Sequence, residues 1–212
     1  MNITRSSRTV VATALTLLAI TAQADTFTSA PNGSGISAFA IPNTTTYGEI
    51  ITAPSTGGGL LESFSFWLQG SVAKAYGGVG TWTGSGIGTN LFTSSEFGAS
   101  YGGFTEVTVD TGGVSLTPGQ QYVIYFSNAI PGNSGSDSFE MGSGSSLDSG
   151  RGMAWDNQNG GSPINGNWAG SHGGSYNLAY TAAFAAPVPE PTSFAMLGLG
   201  LLGLAVARRR KA

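Results

Sequence analysis

Residues 60–68 alternate along the chain, with Leu61, Ser63, Ser65 and Trp67 on one side and Leu60, Glu62, Phe64, Phe66 and Leu68 on the other. A period of two belongs to a strand half sunk in a core, and Phe64, Phe66 and Leu68 are the set expected to face inward. Residues 104–110 repeat the pattern, with Phe104, Glu106, Thr108 and Asp110 set against Thr105, Val107 and Val109. Residues 121–126 put Tyr122, Ile124 and Phe126 on one side, Val123 and Tyr125 on the other. Residues 44–52 form a further candidate, parted from residues 60–68 by the turn-forming run 54–59. Residues 114–116 precede the turn Thr117-Pro118-Gly119, and shorter candidates lie at 73–76, 80–83, 139–142, 152–155 and 178–185. Roughly ten short strands with turn signals about every 8 to 12 residues predict an all-β domain, a jelly-roll-like antiparallel β-sandwich.

Two stretches break the pattern. Residues 128–151 and 157–177 are rich in Gly, Ser and Asn with little periodicity, so they read as long loops. The second holds Asn167, Trp168, His172, Tyr176 and Asn177. An aromatic ring can receive a sugar face and amides can meet hydroxyls, so Trp168, Tyr176 and Asn167 are candidate glycan-binding residues. The competing reading has Trp168 and Tyr176 closing the edge of the sandwich while the asparagines occupy turns.

The two ends differ from the middle. Arg5 and Arg8 precede an apolar stretch from Val10 to Ile20, and Ala22-Gln23-Ala24 supplies small residues for cleavage. That is a signal peptide over residues 1–24, removed by signal peptidase between Ala24 and Asp25. At the other end Val188-Pro189-Glu190-Pro191-Thr192 is followed by an apolar run at 194–207 and then by Arg208, Arg209, Arg210 and Lys211. Pro189 and Pro191 fix their own φ and push their predecessors out of the α region, so Glu190 is displayed in an extended segment. The 14 apolar residues would span only about 21 Å as a helix against about 30 Å of hydrocarbon, a marginal transmembrane helix. The basic cluster acts as a stop-transfer signal, kept on the cytoplasmic side of the inner membrane.

Residues 188–212 in this order resemble the PEP-CTERM sorting signal of Gram-negative bacteria. The resemblance implies recognition of Pro189, Glu190 and Pro191 by an exosortase, a membrane-embedded transpeptidase-like enzyme. It further implies passage to the cell surface or extracellular matrix, often in bacteria that make exopolysaccharide. It covers only the tail and leaves residues 25–187 to be read on their own. Within those, residues 47–54, 61–66 and 114–122 are similar to a widespread group of exported bacterial sandwich domains that is defined by architecture alone.

Composition narrows the chemistry. The chain has no cysteine, which removes disulfides, a lipoprotein anchor, a thiol nucleophile and a thiolate metal site. His172 is the only histidine, so a zinc site built on paired histidines is excluded. Between Asp25 and Pro187 ten acidic residues face only Lys74 and Arg151, a net charge of −8 that repels phosphate backbones and argues against nucleic acid. Asp156 opens the oxygen-rich run Asp156-Asn157-Gln158-Asn159-Gly160, a weak calcium candidate to which Asp137, Glu140 and Asp148 could add carboxylates, although the spacing is not that of an EF-hand. No other cofactor is expected. Glu62, Glu96, Glu106 and Glu140 are available for glycosidase chemistry, but nothing in their spacing brings a pair together across a cleft. Ser171 and His172 lack the strand-turn-helix context of a nucleophile elbow. The expectation is a non-enzymatic structural or adhesive module, with a glycan (polysaccharide) binding module second and a secreted hydrolase third.

Overall fold

The computed structural model describes residues 24–40, 43–55, 59–131, 133, 138–145, 152–157, 167–173 and 176–185. Eleven strands account for most of them: β1 (Thr26–Ser29), β2 (Pro31–Phe39), β3 (Thr46–Thr52), β4 (Leu60–Trp82), β5 (Ile87–Thr93) and β6 (Phe97–Ser115), then β7 (Gln121–Ser127), β8 (Ser138–Gly144), β9 (Gly152–Asp156), β10 (Gly170–Gly173) and β11 (Tyr180–Phe184). Among the described residues there is no helix, and none is long and apolar enough to cross a membrane. The expected signal peptide over residues 1–24, apart from Ala24, lies outside the described residues. So do the sorting motif, the apolar run 194–207 and the basic tail.

The 23-residue strand β4 organises the rest. Along its first part it pairs with β6 on one side, from Leu60↔Ser115 to Ala75↔Phe97. On the other side it meets β11 from Leu61↔Phe184 to Phe66↔Tyr180, then β8 from Leu68↔Met141 to Ser71↔Ser138. Its last part pairs with β7 from Tyr76↔Ser127 to Thr81↔Tyr122, and with β5 from Gly78↔Thr93 to Trp82↔Ile87. Beyond these, β1 extends β11, β2 extends β8, and β7 continues through β3 and β9 to β10. All the strand-to-strand ladders are antiparallel, and together they make one curled sheet of eleven strands.

The expected strands 60–68, 73–76 and 80–83 are therefore one strand, not three. Its pairing with β6 shifts register between Leu61 and Ser63, between Leu68 and Gly70, and between Val72 and Ala75, and Gly70 takes a φ of 92°. Bulges bend a strand without ending it, which is why small residues mimicked turns in the sequence. The candidates at 104–110 and 114–116 likewise merge in β6, through Gly112 and Gly113 with φ of 66° and 91°. Strands β1, β2, β5 and β10 were not expected, and β10 lies inside a stretch read as loop.

Phe64, Phe66 and Leu68 are buried at 1%, 0% and 0% exposure, as the alternation demands. Leu61 joins them, contrary to its place in the pattern, because the bulge after it skips Glu62 in the pairing with β11 and resets the facing. Around them Phe66 meets Phe126 edge-on at 5.0 Å, Phe97 meets Phe126 at 5.2 Å, and Phe39 lies 4.0 Å from Phe139. Each such ring taken out of water contributes about 1.5–3 kcal/mol. Strand β7 is buried on both faces: Tyr122, Ile124 and Phe126 enter this main core, while Val123 and Tyr125 enter a second cluster with Ile50, Ile87, Ala154 and Trp168.

Glu49 is the exception in this apolar setting. It sits in β3 between Tyr47 and Ile51, which both line the main core, and it is fully buried. A carboxylate held out of water needs donors. Its Oε2 accepts the Leu178 N–H at 3.0 Å, which ties the entry to β11 across the interior to β3.

These contacts set three expectations for stability, each read from urea denaturation. A Cβ added at Gly78 would stand 2.2 Å from Cζ of Tyr125, so Gly78→Ala should cost about 1–3 kcal/mol. Gly102→Ala, where no atom lies within 4 Å, should stay within about 0.5 kcal/mol of the parent. Glu49→Gln keeps an acceptor for the Leu178 N–H and should be mild, whereas Glu49→Leu leaves that donor buried and unmet and should cost about 1–3 kcal/mol.

A further expectation concerns pH. Burial, with a smaller contribution from a charge on Tyr76, raises the Tyr125 phenol above its ordinary 10.0. Burial raises Tyr76 too, partly offset by a hydrogen bond from Ser127. Below the unfolded value both states keep these protons, so the stability is fully present. Above it the unfolded chain releases them first, and stability falls as pH rises toward the folded value. Denaturation midpoints measured from about pH 9 to about pH 12 should drop, and the drop should be shallower in Tyr125→Phe.

Candidate functional site

Trp168 does not offer an open platform. It is 6% exposed, and its ring stands edge-on to Trp82 at 5.7 Å and to Tyr125 at 6.0 Å. Its N–H donates to the Ser85 carbonyl, so the segment caps the second hydrophobic cluster from outside. The reading in which this ring closes the fold is the one its burial matches. Asn167 beside it is exposed and accepts a hydrogen bond from Ser85 Oγ at 3.0 Å. Tyr176 is 57% exposed, and its carbonyl accepts the Met153 N–H.

Asp156 ends β9 at 3% exposure, and its carbonyl accepts the Thr45 N–H at 2.9 Å and the Thr45 hydroxyl at 3.3 Å. The remainder of the oxygen-rich run beyond Asn157, with Asp137 and Asp148, lies outside the described residues. Among the described residues no three histidine, cysteine, aspartate or glutamate side chains gather as a metal site would require. Ser171 and His172 are consecutive in β10, opposite Ala154 and Met153.

The glutamates separate into distinct roles. Glu96 pairs with Lys74 at 3.4 Å with both side chains half in water, a contact worth little. Glu62 is exposed. Glu106 and Glu140 flank β4 from opposite sides. Trp67 is directly opposite Glu106 on β6, and Gln69 is directly opposite Glu140 on β8. Ser65 Oγ donates to Glu106 at 2.5 Å, and Gln69 Nε2 donates to Glu140 at 2.7 Å. The side chains of Trp67 and Gln69 are half-buried between the fully buried Phe66 and Leu68 and the Gly70 bulge, so they belong to the outward face. A hollow of about 350 Å³ opens beside them, lined by Gln69, Gly70, Tyr101, Gly102, Phe139 and Glu140. The alternation of residues 60–68 already set Trp67 opposite the core-facing residues. What it lacked was the pairing that puts two carboxylates on either side.

Both ends of the domain meet at one edge. The Phe184 N–H donates to the Asp25 carbonyl at 2.9 Å, and the Ala185 N–H donates to the Leu60 carbonyl at 2.8 Å. The expected cleavage point before Asp25 and the exit toward the tail are thus neighbours, joined through the antiparallel pair β1–β11.

Residues 187–211 match the family model of the PEP-CTERM protein-sorting motif. No curated protein and no solved structure gives a significant match to the chain. The chain therefore carries this sorting motif, which implies an exosortase as processing partner and delivery to the cell surface or extracellular space.

Proposed function

We propose that this chain is an exported surface or matrix protein whose β domain serves as a structural or adhesive module, cut from its tail by an exosortase that reads Pro189, Glu190 and Pro191. The observation that carries the reading is the sorting motif at 187–211, beginning two residues after the last described one, Ala185. Signal peptidase removes residues 1–24 after Ala24. The apolar run 194–207 then holds the protein in the inner membrane, with Arg208, Arg209, Arg210 and Lys211 on the cytoplasmic side, until the tail is cut. A jelly-roll-like sandwich would suit such a module, a reading supported by the curled antiparallel sheet, and in a chain that has no cysteine its stability is drawn from burial and sheet pairing. No catalytic role is assigned.

A second reading, a glycan-binding module, is favoured by one observation: the outward face of β4 carries Trp67 between two oriented carboxylates.

The sorting reading is tested by fractionation, with one epitope before Val188 and another after Lys211. In the native protein the first should reach the surface or medium while the second stays behind. Replacing Pro189, Glu190 and Pro191 with alanine should keep both epitopes together at the inner membrane, with export intact. Two epitopes found together at the surface in the native protein would show that no cut occurs here.

A further inference from the structure

The geometry points to a saccharide site on the outward face of β4, in which Trp67 supplies the stacking surface and Glu106 and Glu140 accept hydroxyl hydrogens from a neutral polysaccharide. It rests on the glycan-binding reading above and gives that reading a location other than Trp168.

The face is built by register. Residues directly opposite in an antiparallel pair share a face, so Glu106 stands beside Trp67 and Glu140 beside Gln69. Two strand spacings separate the carboxylate-bearing strands, about 10 Å, and the two glutamates are offset by two residues along β4, about 7 Å. Trp67 lies within that frame by register, directly opposite Glu106. Gly142 flanks it closely, since a Cβ there would come within 3.0 Å of the Trp67 Cβ. Gly102, with nothing within 4 Å of its missing side chain, leaves the neighbouring hollow open.

The carboxylates are oriented before any ligand arrives. Ser65 engages Glu106 through Oε1, and Gln69 engages Glu140 through Oε2. Each therefore keeps acceptor capacity for a further donor, and an ionised carboxylate can only accept. Sugar hydroxyls are such donors, and the faces of sugar rings pack on aromatic rings.

Charge selects the class. Glu62, Glu106, Asp110 and Glu140 all belong to strands of this region, while the single described lysine, Lys74, is paired with Glu96. An acidic polymer would be repelled. A neutral one would not.

Affinity electrophoresis of the full chain in a polyoxyethylene detergent tests this, with gels containing dextran, a soluble linear β-glucan or alginate. A neutral glucan should retard the protein and alginate should not. Trp67→Ala should weaken that retardation about ten-fold, the size of a lost stacking contact. Trp67→Phe should retain part of it. Glu140→Gln, which keeps the partner of Gln69 and a similar shape, should also weaken it while leaving the urea midpoint unchanged, which separates binding from folding. Retardation by neutral glucan that is equal in all three variants would overturn the site and leave the glycan reading standing. Absence of retardation in both neutral gels, or retardation by alginate alone, would overturn the site together with the glycan reading. Capture of the chain by polylysine with no response to neutral glucan would mark the face as one for a basic protein, and would overturn the proposal as well.

Discussion

Aromatic rings resting on glycine backbone are the contact on which this fold depends. Strand β4 belongs to both parts of the curled sheet, and it changes neighbours near Gly77 and Gly78, where β11 and β8 have ended and β7 begins. A Cβ on Gly77 would come within 3.0 Å of Phe64 Cζ and 3.2 Å of Phe126 Cε1 in the main core. One on Gly78 would enter the ring of Tyr125 in the second cluster. The two glycines face opposite ways, as neighbours in a strand must, so both cores close against the same dipeptide. Gly170 does the same for Trp155 at the far end of the sheet, where an added Cβ would lie 2.4 Å from the ring. Glycine normally weakens a strand through lost entropy and missing side-chain contacts. Here the loss is offset because the vacated volume is filled by a large ring.

This explains how a chain with 34 glycines and no disulfide can build a core. The rings, not branched aliphatic residues alone, bring the buried area, and the glycines let them approach the sheet closely enough to be covered. Polar groups inside are admitted where they join strands distant in sequence. Glu49 reaches Leu178, the Thr46 and Ser127 hydroxyls meet at 2.8 Å across β3 and β7, and the Asn128 amide donates to the Lys74 carbonyl at 2.9 Å. Such bonds reward only the register in which both partners meet, which matters in a sheet with this many small residues.

The inward faces of β4, β6 and β7 were legible because Phe64, Phe66, Val107, Val109, Ile124 and Phe126 alternate with a period that only a strand satisfies. Strand ends were not. A glycine within a bulge and a glycine within a turn look alike in sequence, so β4 was divided at Gly70 and near Gly77. Strands β1 and β2 carry few apolar residues and take their place from pairing partners β11 and β8, far away in the chain. For Trp168 the sequence supports two readings, an open platform and an edge-closing ring, because its flanking asparagines and glycines resemble a loop open to solvent. Its burial depends on Trp82 and Tyr125, and no local pattern records that. The sorting motif needed none of this. Its recognition is carried by a short contiguous run, and fold and register do not enter.

The motif and the fold meet in the chain just after β11. The Leu60 carbonyl receives the Ala185 N–H, the last described hydrogen bond before the tail, and the family match begins at residue 187. An extended chain covers at most about 3.6 Å per residue, so Pro189 lies no more than about 14 Å along the chain from Ala185. Trp67 lies seven residues further along β4, about 23 Å of strand from Leu60. Recognition of the tail draws on residues 187–211, whereas the proposed contact would draw on the outward face of β4, so the two use separate residues. On the reading proposed above, removal of the tail would leave every residue of that face in place.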